Sequence, residues 1–301
     1  MRIFITGVTG FLGYHIALGC LKAGHELLCL KRSASILPIF SIKEERQQIY
    51  WVTKGENNWK QIISNFQPDI LIHCAWEGTT AQSRNNELIQ HSNIQLLVDL
   101  IMIFPYKQVI CLGSQDEYGY LDGIIDENYI LSPQSEYAKA KISCCQQLAF
   151  LASEKNFEWQ WIRLFSVYGE KQGDTWFIPS LIKKCLANEA HIPLTKCEQI
   201  YAYLYSDDFV FAILLLLGSK EKSGIYNLSS SYSISLKNIL FLIKRLTNSK
   251  ATFDFGFYPY RPYQSMMICG DSSKFIRIFG PFERTSLEEG LKRTIDSIRM
   301  K

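Results

Sequence analysis

The nine cysteines of this 301-residue chain include no Cys-x-x-Cys pair, and their number is odd. That removes the usual spacing of a zinc site and of a paired disulfide framework. The thiols are expected to be small core residues, kept reduced, with no metal. Cys144 and Cys145 are adjacent on a helical pattern and point two ways, so they do not bridge. Charge of one sign is also lacking: 32 Lys and Arg against 29 Asp and Glu leave +3, too little to argue for nucleic acid or an anionic membrane as partner. The longest apolar run, Phe209 to Leu217, is well short of the ~20 residues that span a bilayer. Repeats, low-complexity stretches and long linkers are missing too. The N-terminus reads as a strand rather than a signal peptide, so the cytoplasm is the expected compartment. What remains is 47% hydrophobic, an ordinary globular composition, long enough for one large α/β domain or two interleaved ones.

The most informative stretch is Thr6-Gly7-Val8-Thr9-Gly10-Phe11-Leu12-Gly13. It follows a short apolar strand, Ile3 to Ile5, and opens an amphipathic helix in which Leu12, Ile16, Cys20 and Ala23 share a face and Gly24 marks the stop. A glycine turn between a first strand and a first helix points backbone N–H groups and the positive helix end at a pyrophosphate. A Cβ there would block the turn, the phosphate or the helix–strand packing. The spacing is Gly-x-x-Gly-x-x-Gly rather than Gly-x-Gly-x-x-Gly. Gly7, Thr9, Gly10, Phe11, Leu12 and Gly13 are therefore candidates for binding a dinucleotide.

Apolar strand patterns recur at Ile3–Ile5, Glu26–Leu30, Ile49–Val52, Ile70–Cys74, Gln108–Leu112 and Glu158–Leu164, with helical patterns between most of them. Continuous apolar strands alternating with helices predict a parallel sheet buried on both faces, a Rossmann-like doubly wound α/β fold. After Tyr168-Gly169 the pattern turns mixed α+β. A loop with Gly173 and Pro179 precedes a helix near Ser180–Ala187. A strand at Tyr201–Tyr205 leads through Asp207-Asp208 into the helix Phe209–Leu217, and Ile225–Leu228 reads as a strand. Ser235 caps a helix at Leu236–Leu246, and Ser286 with Glu289 forms a capping box for the last helix. The expected division is a dinucleotide-binding domain over 1–170, with 203–229 returning to it. Residues 171–202 and 230–301 make a smaller substrate-binding lobe over the carboxyl ends of the strands.

Tyr137 and Lys141, four apart at the start of a predicted helix, share a face. A free tyrosine titrates near pH ~10, and a neighbouring ammonium favours the phenolate, so the pair suits proton transfer to a sugar or alcohol oxygen. Ser114 stands just past the strand Gln108–Leu112, where its hydroxyl can bond a reacting carbonyl.

These features together resemble the extended short-chain dehydrogenase/reductase family of nucleotide-sugar epimerases, dehydratases and reductases. The resemblance runs nearly end to end. It is carried by the glycine turn, Asp69-Ile70-Leu71-Ile72-His73-Cys74-Ala75, Asn93, Gly113-Ser114-Gln115-Asp116-Glu117-Tyr118-Gly119, Tyr137 with Lys141, and Arg163-Leu164-Phe165-Ser166-Val167-Tyr168-Gly169. Tyr205-Ser206-Asp207-Asp208, Tyr226-Asn227-Leu228, Arg261-Pro262 and Asp271 to Lys274 complete it. Locally, Glu56-Asn57-Asn58-Trp59 is similar to CDP-paratose synthase-like sugar 4-ketoreductases. Two departures, Ser166 where the family has Asn and Tyr201-Ala202 where it has Arg-Asp, fall near the sugar nucleotide.

The resemblance implies a catalytic set of Ser114, Tyr137 and Lys141, with Lys141 holding the nicotinamide ribose and lowering the tyrosine pKa. It implies Cys74, Ala75 and Asn93 near the cofactor. Trp76, Gln115, Asp116, Ser166, Phe177 and Arg261 are candidates for substrate contact, and a homodimer is expected through the helix that carries Tyr137. His73 reads as strand packing, and Glu77 as a further pocket candidate. The second strand ends in Lys31-Arg32, where NAD enzymes usually carry a carboxylate, and the next acidic residue is Glu44. Arg32 can fork onto a 2′-phosphate and Lys31 adds charge, so NADP(H) is expected, with NAD the alternative. Dehydratases of the family carry Thr-Asp-Glu where this chain has Ser114-Gln115-Asp116, and an amide cannot serve as general acid or base. The expected activity is NADPH-dependent reduction of a nucleotide-diphosphate 4-keto-6-deoxyhexose in deoxysugar and surface polysaccharide synthesis. A 4-epimerase with bound NAD and a non-catalytic NADP-binding regulator are the alternatives.

Overall fold

The computed structural model describes residues 1–38, 48–220 and 222–300. Its centre is a sheet of seven strands, all neighbours parallel. The first five are β1 (Arg2–Thr6), β2 (Glu26–Lys31), β3 (Ile49–Thr53), β4 (Ile70–His73) and β5 (Gln108–Leu112). In space the order is Gly224–Leu228, Glu158–Leu164, β5, β4, β1, β2, β3. The order reverses between β1 and β4, and the crevice at their carboxyl ends is where open α/β sheets bind ligands.

Both faces of the sheet are covered, which is why most of its strands read as apolar runs. Ile3, Ile5, Ile72 and Ile110 pack against α1 (Phe11–Lys22) and the helix Ser206–Leu216 on one face. Phe4, Leu71, Val109 and Cys111 face α2 (Trp59–Phe66), α3 (Glu87–Ile103) and α4 (Glu136–Lys155) on the other. Successive strand residues alternate between the two clusters, as the pleat requires.

A second sheet runs Ser233–Ser235, Ile200–Tyr205, Met267–Gly270, Asp122–Ile125, with Ser166–Tyr168 pairing to Ile200–Tyr205. His191–Pro193 and Thr252–Asp254 form a two-stranded parallel pair. The helices Phe177–Leu186, Leu236–Thr247 and Leu287–Arg299 bury Ile182, Ile239, Ile243 and Leu291 in a core of their own, whereas Ser273–Phe279 sends Phe275 into the core under the main sheet.

Several local expectations change. Ala23 is the exposed C-cap of α1, whose buried face is Gly13, Ile16, Ala17, Cys20 and Leu21, with Leu12 partly covered. The helix expected near Ser180 begins at Phe177; Pro179 sits in its first turn, where no N–H is needed. Ser286 accepts the Glu289 N–H, but the Glu289 carboxylate turns to Arg293 instead of closing the capping box. Ser235 does cap its helix, accepting the Asn238 N–H. All nine cysteines are free and eight are buried. Among the described residues no cluster of His, Cys, Asp or Glu could hold a metal, and no helix is long and apolar enough to cross a membrane.

Candidate functional site

The three glycines of the turn differ in what they answer to. Gly7 has φ +77°, and a Cβ there would lie 2.7 Å from the Ala75 nitrogen. A Cβ at Gly13 would lie 2.2 Å from the Gly7 carbonyl oxygen. Both are required by the protein's own packing. Gly10 is not: it is extended, and a Cβ would meet nothing closer than the Gly7 oxygen at 3.4 Å. The exposed space over Gly10 therefore stays open on the ligand side. Behind it α1 starts with neither a side-chain cap nor an acidic residue in its first turn, leaving its positive end for an anion. Thr9 is exposed there, with Phe11 and Leu12 half-buried. These residues fit the pyrophosphate of a dinucleotide.

The neighbouring strand ends are tied together by one hydroxyl. Thr6 Oγ1 accepts the backbone N–H groups of Cys74 (3.2 Å) and Ala75 (3.1 Å), so its single proton goes to His73 Nδ1, 3.0 Å away. His73 is accordingly a strand-end packing residue, and burial together with the Lys141 charge pulls its pKa down to about 3. Asn93 acts on the same loop. Its amide both accepts the Glu77 N–H and donates to the Glu77 carbonyl, each at 3.0 Å. At the end of β2, Arg32 Nη1 lies 2.8 Å from the Glu77 carboxylate. An acidic group thus does stand beside this strand end, brought from β4 rather than from β2; Glu44 lies outside the described residues.

Ser114, Tyr137, Lys141 and Trp76 converge past the end of β5. Ser114 N-caps the short 3-10 helix Gln115–Tyr118 in a capping box with Glu117, and its side chain acts on Tyr137 in the sense that lowers the phenol's pKa. Lys141 is buried. Its ammonium donates to the Leu112 carbonyl at 2.6 Å and sits 3.6 Å from the Trp76 ring. Burial brings its pKa down to about 8. Trp76 meets the Tyr137 ring edge-on at 5.8 Å and donates from Nε1 to Gln90.

Lys141 is hydrogen-bonded to a backbone carbonyl of the sheet. Its side chain runs back to the sheet, and the ammonium is 5.7 Å from the ring centroid. Burial raises the phenol above its ordinary value, opposed by the Ser114 hydrogen bond and by the charge of Arg84, with Glu117 adding to the rise. Arg84 holds its guanidinium 4.6 Å from the Tyr137 ring centroid and pairs with Asp116. The sequence reading missed Arg84, which lies in a loop without a motif. It also missed Glu117, although Ser-x-x-Glu at Ser114 is a legible capping signature. Glu117 accepts from Ser114 N (2.9 Å), Trp161 Nε1 (2.9 Å) and Arg163 Nε (2.7 Å) in the core.

Other candidates lie apart from this cluster. Phe177 leans on the core shared with the helices Leu236–Thr247 and Leu287–Arg299, and the exposed ring beside it is Trp176. Ser166 opens the strand that pairs with Tyr203. Arg261 is exposed near Tyr201, where its charge bears on that phenol. Among the described residues, no hydrogen bond or ion pair links these three to Tyr137. Gln115 is half-buried, and its Oε1 has no partner among the described residues.

A model of the NAD dependent epimerase/dehydratase family matches residues 3–229. The chain is 26% identical to CDP-abequose synthase of Salmonella muenchen over 98% of its own length and 97% of that protein's. It is 28% identical to dTDP-4-dehydro-6-deoxyglucose reductase of Escherichia coli over 80% of this chain and 78% of that one. The structure of UDP-glucuronic acid 4-epimerase from Bacillus cereus, in complex with UDP-glucuronic acid and NAD, superposes with a TM-score of 0.84 at 20% identity, covering 100% of this chain and 99% of that one.

Proposed function

The chain belongs to the NAD dependent epimerase/dehydratase family, and from that premise we propose that it is an NADPH-dependent reductase of the 4-keto group of a nucleotide-diphosphate 4-keto-6-deoxyhexose. The observation that carries this reading is the convergence of Ser114, Tyr137, Trp76 and the buried Lys141 at the carboxyl edge of a sheet whose glycine turn accommodates a pyrophosphate. The similarity to a CDP-abequose synthase and to a dTDP-4-dehydro-6-deoxyglucose reductase supports the substrate class.

Gly7, Thr9, Gly10, Phe11, Leu12 and Gly13 would hold the pyrophosphate, Cys74 and Ala75 the far side of the cleft, and Lys31 with Arg32 the 2′-phosphate. When bound, the reduced nicotinamide supplies the hydride for C4. Ser114 holds the carbonyl oxygen there, and Tyr137 passes its proton to that oxygen as it becomes an alkoxide. Lys141 places a positive charge beneath the site. Asp116, engaged by Arg84, and the amide of Gln115 leave no free acid–base pair for removing water. Trp76, Ser166 and Arg261 are assigned to the sugar nucleotide. A homodimer working in the cytoplasm belongs to the same reading.

A second reading, a 4-epimerase that recycles bound NAD, is favoured by one observation: Glu77 places a carboxylate 2.8 Å from Arg32, where an NAD enzyme would accept from the ribose. Following NADPH absorbance with a panel of 4-keto sugar nucleotides separates the two. The reductase consumes one NADPH per sugar. Copurified NAD(H), interconversion of 4-epimers and no NADPH consumption would put the epimerase first.

A further inference from the structure

We infer that Arg84 is the positioning residue for Tyr137: its main chain fixes the first turn of the helix that carries the tyrosine, and its guanidinium, braced by Asp116, is the cation against which the phenol is set. The inference rests on the reading of Tyr137 as the proton donor and adds to it a residue that no motif marks.

Two independent contacts carry it. The first is through the backbone. The loop ahead of α3 is wound into a turn by Arg84 N–H and Ser83 N–H donating to the Thr80 carbonyl at 2.9 and 3.0 Å. From that turn the Arg84 carbonyl accepts the Tyr137 N–H at 2.9 Å, and Asn85 Oδ1 accepts the Glu136 N–H at 3.2 Å. Ser135 Oγ takes the Ala138 N–H. The first N–H groups of a helix have no partner within it, and here two of the three are answered by this loop. The tyrosine therefore cannot shift along its helix axis without breaking the bond to Arg84.

The second contact is through the side chain. The guanidinium lies 4.6 Å from the Tyr137 ring centroid while pairing with Asp116. Both side chains of that ion pair are about one-third exposed, at 33% and 32%, so solvent screens it less than a surface pair. Arginine suits this place because its plane can lie over a ring while its edge engages a carboxylate. The other charged or bonding groups around the phenol are Ser114 and Glu117 from the 3-10 segment, and Lys141 from its own helix. Lys141 is committed to Leu112 and Trp76. Arg84, held by Asp116, is thus the cation set against the charge that develops on the phenol, and its charge does favour the phenolate.

The test follows Tyr137 itself, without substrate. In protein carrying [13Cζ]tyrosine, the Tyr137 resonance is identified by its loss in Tyr137→Phe and titrated in Arg84→Met, Arg84→Lys and Asp116→Asn. Arg84→Met is expected to raise the Tyr137 pKa by about one pH unit, the low end of what a neighbouring charge does. Turnover at neutral pH should fall about tenfold, a part of what a general acid supplies, with KM changed by less than about twofold. Arg84→Lys should restore part of both. Asp116→Asn, which leaves the backbone contact and strips the guanidinium of its counter-charge, should move the titration the other way. An unmoved Tyr137 titration in Arg84→Met and Asp116→Asn, with folding intact, overturns the proposal. So does a shift produced by Lys141→Met and not by Arg84→Met. Should Tyr137→Phe retain turnover, the proton-donor reading fails while the titration result stands by itself.

Discussion

Arg32 and Glu77 close a 2.8 Å ion pair between the strand ends of β2 and β4, across the end of β1. Both side chains are more than half exposed, at 69% and 54%, so the pair is worth at most about 1 kcal/mol. Arg32 can therefore leave it for a phosphate at little cost. Arg32→Ala should lower NADPH affinity by about 1.5–3 kcal/mol, the range for hydrogen bonds to charged groups, with NADH affinity unchanged. Glu77→Gln should raise NADPH affinity by up to about 1 kcal/mol. Fluorescence titration of both cofactors checks this. A loss shared equally by NADH and NADPH in Arg32→Ala would mean that the cations only solvate the strand end.

The glycines of the turn should separate folding from binding. Gly13→Ala drives a Cβ to 2.2 Å from the Gly7 carbonyl, a backbone clash that cannot relax, and should lower the melting temperature by several degrees. Gly10→Ala meets only ordinary contact at 3.4 Å in an extended conformation. Its melting curve should match wild type, while NADPH binding falls at least tenfold. Thermal melts with and without cofactor decide the matter.

Lys141 should write a signature into stability against pH. Its folded-state pKa of about 8 lies below the ordinary 10.5. Between those values the unfolded chain binds more protons, so stability rises with pH; the contribution is full above the unfolded value and lost as pH falls through the folded one. Across that window the wild type should gain up to about 3 kcal/mol relative to Lys141→Met, in which the contribution is absent. Urea unfolding of both proteins at pH 7.5, 9 and 10.5 measures the difference. Parallel curves would show that the ammonium is not buried as described.

Beneath Ser114, Glu117 and Arg163 form an ion pair with side chains 0% and 3% exposed. Replacing one member leaves the other charged in the core, which costs about 3–5 kcal/mol. Glu117→Gln should be destabilised by that amount in chemical denaturation. Of the variant that remains folded, turnover should suffer more than cofactor affinity, since Glu117 also receives the Ser114 N–H. A loss below 1 kcal/mol would mean the pair is solvated.

Much of the frame was legible because it rests on short-range periodicity. The strands Ile70–His73 and Gln108–Leu112 fall where their largely apolar runs do, since a strand covered on both faces is mostly apolar. The turn was legible because only glycine meets the packing at Gly7 and Gly13. Strands such as Asp122–Ile125 and Met267–Gly270 were missed. At four residues each, the first mostly exposed and polar at its start, they carry no period long enough to read.

The parallel sheet, the anion-ready turn and the residue types of the Ser114, Tyr137 and Lys141 set were readable from the chain, because local pattern and chemistry suffice for each. Which charges meet depends on the folded chain. Arg84 reaches Tyr137 from 53 positions upstream, and Glu77 reaches Arg32 from 45 positions downstream. The fold likewise turns Lys141 toward Leu112 rather than to the phenol four residues before it. Helical spacing places two Cβ atoms on one face, but where a long flexible side chain delivers its charge depends on the carbonyl or ring that the rest of the fold presents to it.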